Sequence, residues 1–239
     1  MKFLIFQHLE CEHAGSFRAL LKRDGIQCHI VELDEGEAIP PLEEFDALWV
    51  MGGPMDVWDV DEFPWLIEEK AAIRRWVRDL KRPYLGLCLG HQLLADALGG
   101  TCGPQSPPEI GVFKIHLTEA GKAEPLFEGL PAQQNVLQWH SVRVAQPPEG
   151  ATVLARSDGC PVQAMRIGDN AWSMQYHVEV EPDTVANWAS DPVYFQSLLA
   201  ARGKTGVAEM TQEAAEALPE FLKSSDIIYA NFMRLIRAG

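Results

Sequence analysis

Short, almost wholly apolar runs alternate with stretches whose apolar positions recur every three or four residues through the first hundred residues. KFLIFQH (2–8) reads as a buried strand, and QCHIVEL (27–33), DALWVM (46–51) and YLGLC (84–88) read as three further strands. Between them lie GSFRALLKRDG (15–25), closed by a glycine, and PWLIEEKAAIRRWVRDL (64–80), entered at Pro64 with apolar residues at 66, 67, 73, 76, 77 and 80. Both read as amphipathic helices, and a further one opens at Leu89. Strands that alternate with helices need crossover connections. The pattern therefore predicts an α/β chain with a doubly wound, mostly parallel central sheet flanked by helices.

After residue 100 the texture changes. EIGVFKIHLT, NVLQWHSVRVA, ATVLARS, PVQAMRI and AWSMQYHVEV are strand-like runs joined by short turns such as Gly168-Asp169-Asn170, and long helical stretches return only from about residue 182. No internal repeat, low-complexity linker or composition break divides the chain, so residues 1–239 read as a single domain.

At 239 residues and 47% hydrophobic content, the chain can bury a sizeable core. Its 34 acidic against 20 basic residues, a net charge of −14, argue against nucleic acid or an anionic membrane as partner. The same charge also serves plain solubility. The opening MKFLIFQHLECEH turns polar too soon for a signal peptide, and no run approaches the ~18 apolar residues of a membrane span. The five cysteines, at 11, 28, 88, 102 and 160, are odd in number and scattered. That fits a reducing cytoplasm better than a disulfide framework.

One cysteine stands apart. Cys88 lies between the YLGLC run and the helix that follows, with Gly86 and Gly90 two residues to either side. G-x-C-x-G at a strand-to-helix turn is the cysteine form of a nucleophile elbow, where neighbouring backbone must approach too closely for side chains. A thiol there sits at the positive end of a helix dipole, and the first helical N–H, on Leu89, points to where an oxyanion would form. Such a nucleophile needs a base and a group to orient it. Among seven histidines, His177 occurs as Gln175-Tyr176-His177-Val178-Glu179 at the end of an apolar run. Residues i and i+2 of a strand share a side, so Glu179 can hold one ring nitrogen while the other faces a thiol. A water-exposed strand end is the alternative. An α/β-hydrolase would place its acid before its histidine, and here the acid follows. His8, Cys11 and His13 (HLECEH) offer metal-ligand types without a second pair at a useful spacing, and a polar loop at the rim of a site suits them better. His91 reads as a structural residue of the elbow helix. Cys28, Cys102 and Cys160 read as core or loop residues, and Trp49, Trp76, Trp172 and Trp188 as core.

Gly-Leu-Cys88-Leu-Gly-His-Gln, followed some ninety residues later by Gln-Tyr-His177-Val-Glu179, resembles the class I glutamine amidotransferases, most closely their stand-alone, GMP-synthetase-like members. The likeness takes in Met51-Gly52-Gly53-Pro54, similar to that family's oxyanion loop, and Asn231-Phe232 near the C-terminus, so it spans nearly the whole chain. Two positions depart from it. Val178 stands where the family usually has proline, and Trp139-His140-Ser141-Val142 resembles the form found in anthranilate-synthase amidotransferase subunits. The resemblance implies a flavodoxin-like class I amidotransferase fold and a Cys88–His177–Glu179 triad that hydrolyses the glutamine side-chain amide through a γ-glutamyl thioester. It implies an oxyanion hole from the Gly53 and Leu89 N–H groups, and contacts to glutamine from Gln92 and the backbone of Ser141 and Val142. No metal or organic cofactor is required. The substrate is glutamine or another γ-glutamyl compound, and any ammonia acceptor belongs to a separate synthase subunit. Two alternatives stay open: a γ-glutamyl peptide or amine hydrolase with the same triad, and a catalytically idle regulatory subunit. The acidic, aromatic segment MDVWDVDEFPW (55–65) either walls off the leaving-group side of the site, forms a pocket for a larger amine, or is a solvated loop.

Overall fold

The computed structural model describes residues 1–238. Four parallel strands come first in the chain: β1 (Lys2–Gln7), β2 (Gln27–Glu32), β3 (Ala47–Val50) and β4 (Tyr84–Leu87). Helices α1 (Phe17–Arg23), α2 (Trp65–Arg75) and α3 (Leu89–Ala97) make the crossovers, and a π-helical turn, Trp76–Leu80, extends α2. The chain then runs through the long antiparallel pair β5 (Thr101–Leu117) and β6 (Gln133–Gln146), with the short α4 (Glu119–Lys122) between them. β7 (Ala151–Arg156), β8 (Ala164–Ile167) and β9 (Ala171–Met174) follow, then α5 (Thr184–Trp188), α6 (Pro192–Arg202) and α7 (Gly206–Ala238).

All nine strands form one sheet in the order β2-β1-β3-β4-β9-β8-β7-β5-β6. The doubly wound half, β2-β1-β3-β4-β9, is parallel throughout, because β9 returns to pair in parallel with β4. The remaining pairings are antiparallel, with short links only from β7 to β8 and from β8 to β9. Alternate residues of β1 enter opposite layers. Leu4 and Phe6 pack with α2 and α3 through Leu66, Ile73, Leu93 and Leu94, whereas Phe3 and Ile5 pack with α1 and α7 through Phe17, Leu21, Ile228 and Phe232. Both faces being covered, β3 and β4 are buried at every position, which is why they read as continuous apolar runs. A third cluster, built from Trp139, Val180, Trp188, Tyr194 and Leu198, gathers α5, α6 and the start of α7 against β6.

Two expected elements end earlier than their apolar runs. AWSMQYHVEV forms a strand only over Ala171–Met174, and His177 joins the sheet through an isolated bridge to Leu137. Likewise, the ladder of YLGLC stops at Leu87, because Cys88 turns out of it. Among the described residues no helix is long and apolar enough to cross a membrane.

Candidate active site

Cys88 has φ 50° and ψ −103°, a conformation an L-residue holds only when its surroundings impose it. Two backbone anchors do so: the Cys88 N–H donates to the Met174 carbonyl at 2.9 Å, and the Gly90 N–H to that of Met51 at 3.1 Å. The flanking glycines are required by contact. A Cβ on Gly90 would stand 2.2 Å from the Val50 oxygen, and one on Gly86 would stand 2.6 Å from the Gly90 oxygen. The elbow thus packs directly on β3 and β9, the strands on either side of β4.

The carboxyl ends of the parallel strands supply His8 after β1, Gly52-Gly53 after β3, Cys88 after β4 and His177 beyond β9. That is where an open α/β sheet leaves a crevice. Among the described residues, neither the Gly53 nor the Leu89 N–H has an acceptor, and the two residues are in contact, a Cβ on Gly53 meeting Leu89 Cδ2 at 2.8 Å. Gly53 and Cys88 line one narrow cavity with Met55, Gln92, Ser141, Val142 and Tyr194.

His177 is 1% exposed and bridges two groups. Its Nδ1 lies 2.6 Å from Glu179 Oε1, and its ring also lies in the field of the Cys88 sulfur, to which Gln175 Nε2 donates at 3.7 Å. Burial disfavours the imidazolium, but the Glu179 and Cys88 charges outweigh burial and raise the His177 pKa well above the ordinary histidine value. The ring is held from the side by Trp188, 4.4 Å away between centroids, and its backbone N–H is tied to Leu137 O at 2.9 Å. Glu179 is fixed in turn: its Oε2 accepts the Val178 N–H at 2.9 Å, a donor that a proline at 178 would lack.

The remaining expected residues fall around the same cavity. Gln92 donates to Val142 O and to Gln175 Oε1, each at 3.2 Å, so it braces the 141–142 backbone as well as lining the site. His140 continues that brace. Its ring nitrogens meet Val142 O at 2.8 Å and Glu109 Oε2 at 3.0 Å, and Glu109 also accepts from Ser157 and Gln163. Segment 55–65 is pinned rather than free. Met55 and Val57 are buried, Asp59 caps the Asp56 N–H at 2.8 Å, and Lys70 holds Val57 O at 2.9 Å.

His8, Cys11 and His13 do not converge. His8 reaches Gly52 O at 2.8 Å and Glu69 Oε1 at 2.9 Å, while His13 Nδ1 accepts the Gly15 N–H. Burial pushes the Cys11 thiol up to about 12. His91 meets Ser173 Oγ and Val162 O inside the core, and burial lowers its pKa to about 3. Sequence reasoning missed Glu12, Glu109, Tyr194 and the second role of Trp188. Glu12 alone carried a signal, as an acidic residue inside the HLECEH stretch.

A doubly wound α/β protein with a cysteine elbow facing a buried histidine–glutamate pair is the class these features define. The comparisons narrow it. The family profile "Glutamine amidotransferase class-I" matches residues 14–188. The glutamine amidotransferase-like protein YfeJ of Salmonella typhimurium is 33% identical over 90% of this chain and 93% of its own. One chain of the glutamine-hydrolyzing GMP synthase of Saccharolobus solfataricus is 35% identical over 61% of this chain and 76% of its own. The crystal structure of a glutamine amidotransferase from Thermotoga maritima superposes with a TM-score of 0.81 at 25% identity, covering 99% of this chain and 98% of its own. The chain belongs to the class I glutamine amidotransferase family.

Proposed function

We propose that the chain, as one amidotransferase domain over 1–239 working in the cytoplasm, hydrolyses the side-chain amide of glutamine with Cys88, His177 and Glu179, and that the ammonia serves an acceptor on another chain. The observation that carries this reading is His177, buried, hydrogen-bonded to Glu179 and electrostatically coupled to the sulfur of an elbow cysteine. The Cys88 thiolate attacks the carbonyl carbon (Cδ) of the glutamine side-chain amide, and the carbonyl oxygen becomes an oxyanion facing the Gly53 and Leu89 N–H groups. Such a donor contributes about 2.7–4 kcal/mol to the transition state. The His177 imidazolium gives its proton to the departing nitrogen, ammonia leaves, and a γ-glutamyl thioester remains on Cys88. Neutral His177 then takes a proton from water as the oxygen adds to the thioester. Collapse releases glutamate and restores the thiolate–imidazolium pair. Gln92 and the Ser141-Val142 backbone hold the amino-acid end of the substrate, and no step calls for a metal or organic cofactor. The relative that is one chain of a glutamine-hydrolyzing GMP synthase supports a separate synthase chain as partner.

The test is kcat/KM of the isolated protein for glutamine against a panel of γ-glutamyl amines and peptides, with Cys88→Ala as control. Glutamine turnover that vanishes in Cys88→Ala and rises when a copurifying partner is added is the expected result. A strong preference for a γ-glutamyl peptide would overturn ammonia transfer in favour of a γ-glutamyl hydrolase. Absence of turnover on the whole panel, alone and with partner, would leave a regulatory subunit.

A further inference from the structure

Two buried residues beside the triad have no part in the steps above. Tyr194, early in α6, lines the cavity together with Cys88, its ring stacked on Trp188 at 6.0 Å and set edge-on to Trp139 at 5.4 Å. Its hydroxyl donates to Glu12 Oε1. Glu12, from the loop after β1, is 1% exposed, and one of its carboxylate oxygens lies within 4.8 Å of both a His177 ring nitrogen and a Glu179 oxygen. Its Oε2 has no hydrogen-bond partner and packs on Gly52, where an added Cβ would stand 2.5 Å away. The carboxyl therefore sits between Gly52 and the Tyr194 hydroxyl, close to His177.

A phenol has one proton to give. With that proton committed to Glu12, the Tyr194 oxygen offers only lone pairs in other directions. Burial, then the charges of Glu12 and Cys88, raise the tyrosine pKa well above its usual value. Burial raises that of Glu12 too, but the geometry sets the hydroxyl as donor to Oε1 while Tyr194 lines the cavity with Cys88. The two ends of glutamine hydrolysis differ in hydrogen-bond polarity at this point. A primary carboxamide carries N–H donors, whereas the product carboxylate carries only acceptors.

We infer that Tyr194, with its proton fixed on Glu12, is a specificity-determining residue that accepts an N–H of the substrate's primary carboxamide and turns away the carboxylate of the product. This rests on the glutamine-hydrolysing reading. Glu12 acts through Tyr194 and is a positioning residue. The pair accounts for how a site that binds glutamate's amide so closely releases glutamate itself.

The test reads a ratio, which a merely structural role would not move. In a Cys88→Ala parent, the Kd values of L-glutamine and L-glutamate are measured by calorimetry. Adding Tyr194→Phe is expected to lower the glutamine-over-glutamate preference about tenfold, as when a site loses the group that matches a substrate N–H. Glu12→Leu and Glu12→Gln remove the same charge but differ in one respect: the glutamine side chain still accepts the tyrosine proton, and leucine does not. Glu12→Gln is expected to keep the preference nearer the parent's, and Glu12→Leu to tighten glutamate. If Glu12→Leu does not fold, Tyr194→Phe and Glu12→Gln, each checked by its thermal midpoint, still decide the matter. A parent that binds glutamine but shows the same preference with Tyr194→Phe overturns this inference alone. A parent that binds neither ligand overturns the glutamine reading and this inference with it.

Discussion

His8 holds the Gly52 carbonyl. Its Nδ1 donates to Gly52 O at 2.8 Å and its Nε2 to Glu69 Oε1 at 2.9 Å, with Trp65 stacked on the ring at 5.6 Å. In a trans peptide unit the C=O and N–H point in opposite directions. Fixing the Gly52 oxygen therefore fixes the Gly53 N–H, the group assigned to the oxyanion. His8→Ala is expected to lower kcat roughly ten- to a hundredfold, approaching the loss of an oxyanion donor, while KM changes little. Steady-state kinetics with glutamine check this, and a pure KM effect would refute it.

The same histidine gives a pH signature. Burial works against its charge, but Glu69 and the Gly52 carbonyl outweigh burial and raise its pKa above 6.5. A group whose pKa rises on folding adds stability in full below its unfolded value, and that contribution fades as pH climbs through the folded value. The thermal midpoint of His8→Gln should therefore lie furthest below that of the native protein in mildly acidic buffer, with the gap closing in alkaline buffer. Midpoints across that range decide it; a gap that widens with pH contradicts the assignment.

Burial pushes the Cys11 and Cys102 thiols up to about 12 and the Cys160 thiol to about 11, and raises Cys28 as well. Thiols so placed carry little thiolate at neutral pH. A chloroketone analogue of glutamine should modify Cys88 alone, read by peptide mass spectrometry, and His177→Ala should slow that labelling at least tenfold. Modification of Cys28 with Cys88 untouched would rule out Cys88 as the nucleophile.

Glu109 supports the substrate-facing backbone at a distance, through His140 to Val142. Burial would raise its pKa, but hydrogen bonds from His140, Ser157 and Gln163 prevail and hold it below the usual glutamate value. Glu109→Ala leaves the Nε2 of His140 unpaired in the interior, at a cost of roughly 1–3 kcal/mol. The expected result is a KM for glutamine about ten times higher with a smaller change in kcat. Equal losses in kcat and kcat/KM would place its effect in the transition state instead.

The chemistry readable in the sequence was local. Gly86, Cys88 and Gly90 lie within one turn, and His177 and Glu179 two residues apart, so elbow geometry and strand periodicity were enough to pair each set. Within the parallel half β1, β3 and β4 were equally legible, because strands covered on both faces are apolar, whereas β2 at the sheet edge leaves residues 27–30 exposed. The antiparallel half changed partners in ways its runs did not announce. A strand signal records burial, and His177 is buried by Leu137 and Trp188 although its ladder has already ended at Met174. Tertiary structure alone decided the second ring of residues. Glu12 meets Tyr194 across 182 positions, His8 meets Glu69 across 61, and Glu109 meets His140 across 31. The first two exist because the fold brings the loop after β1 to the edge of the sheet beside α2 and α6, and the third because Glu109 and His140 face each other on the neighbouring strands β5 and β6. A buried polar side chain is then stable only where the fold supplies its partner. Periodicity marks such a residue as inside or outside; which group it finds there depends on how the strands are ordered in space.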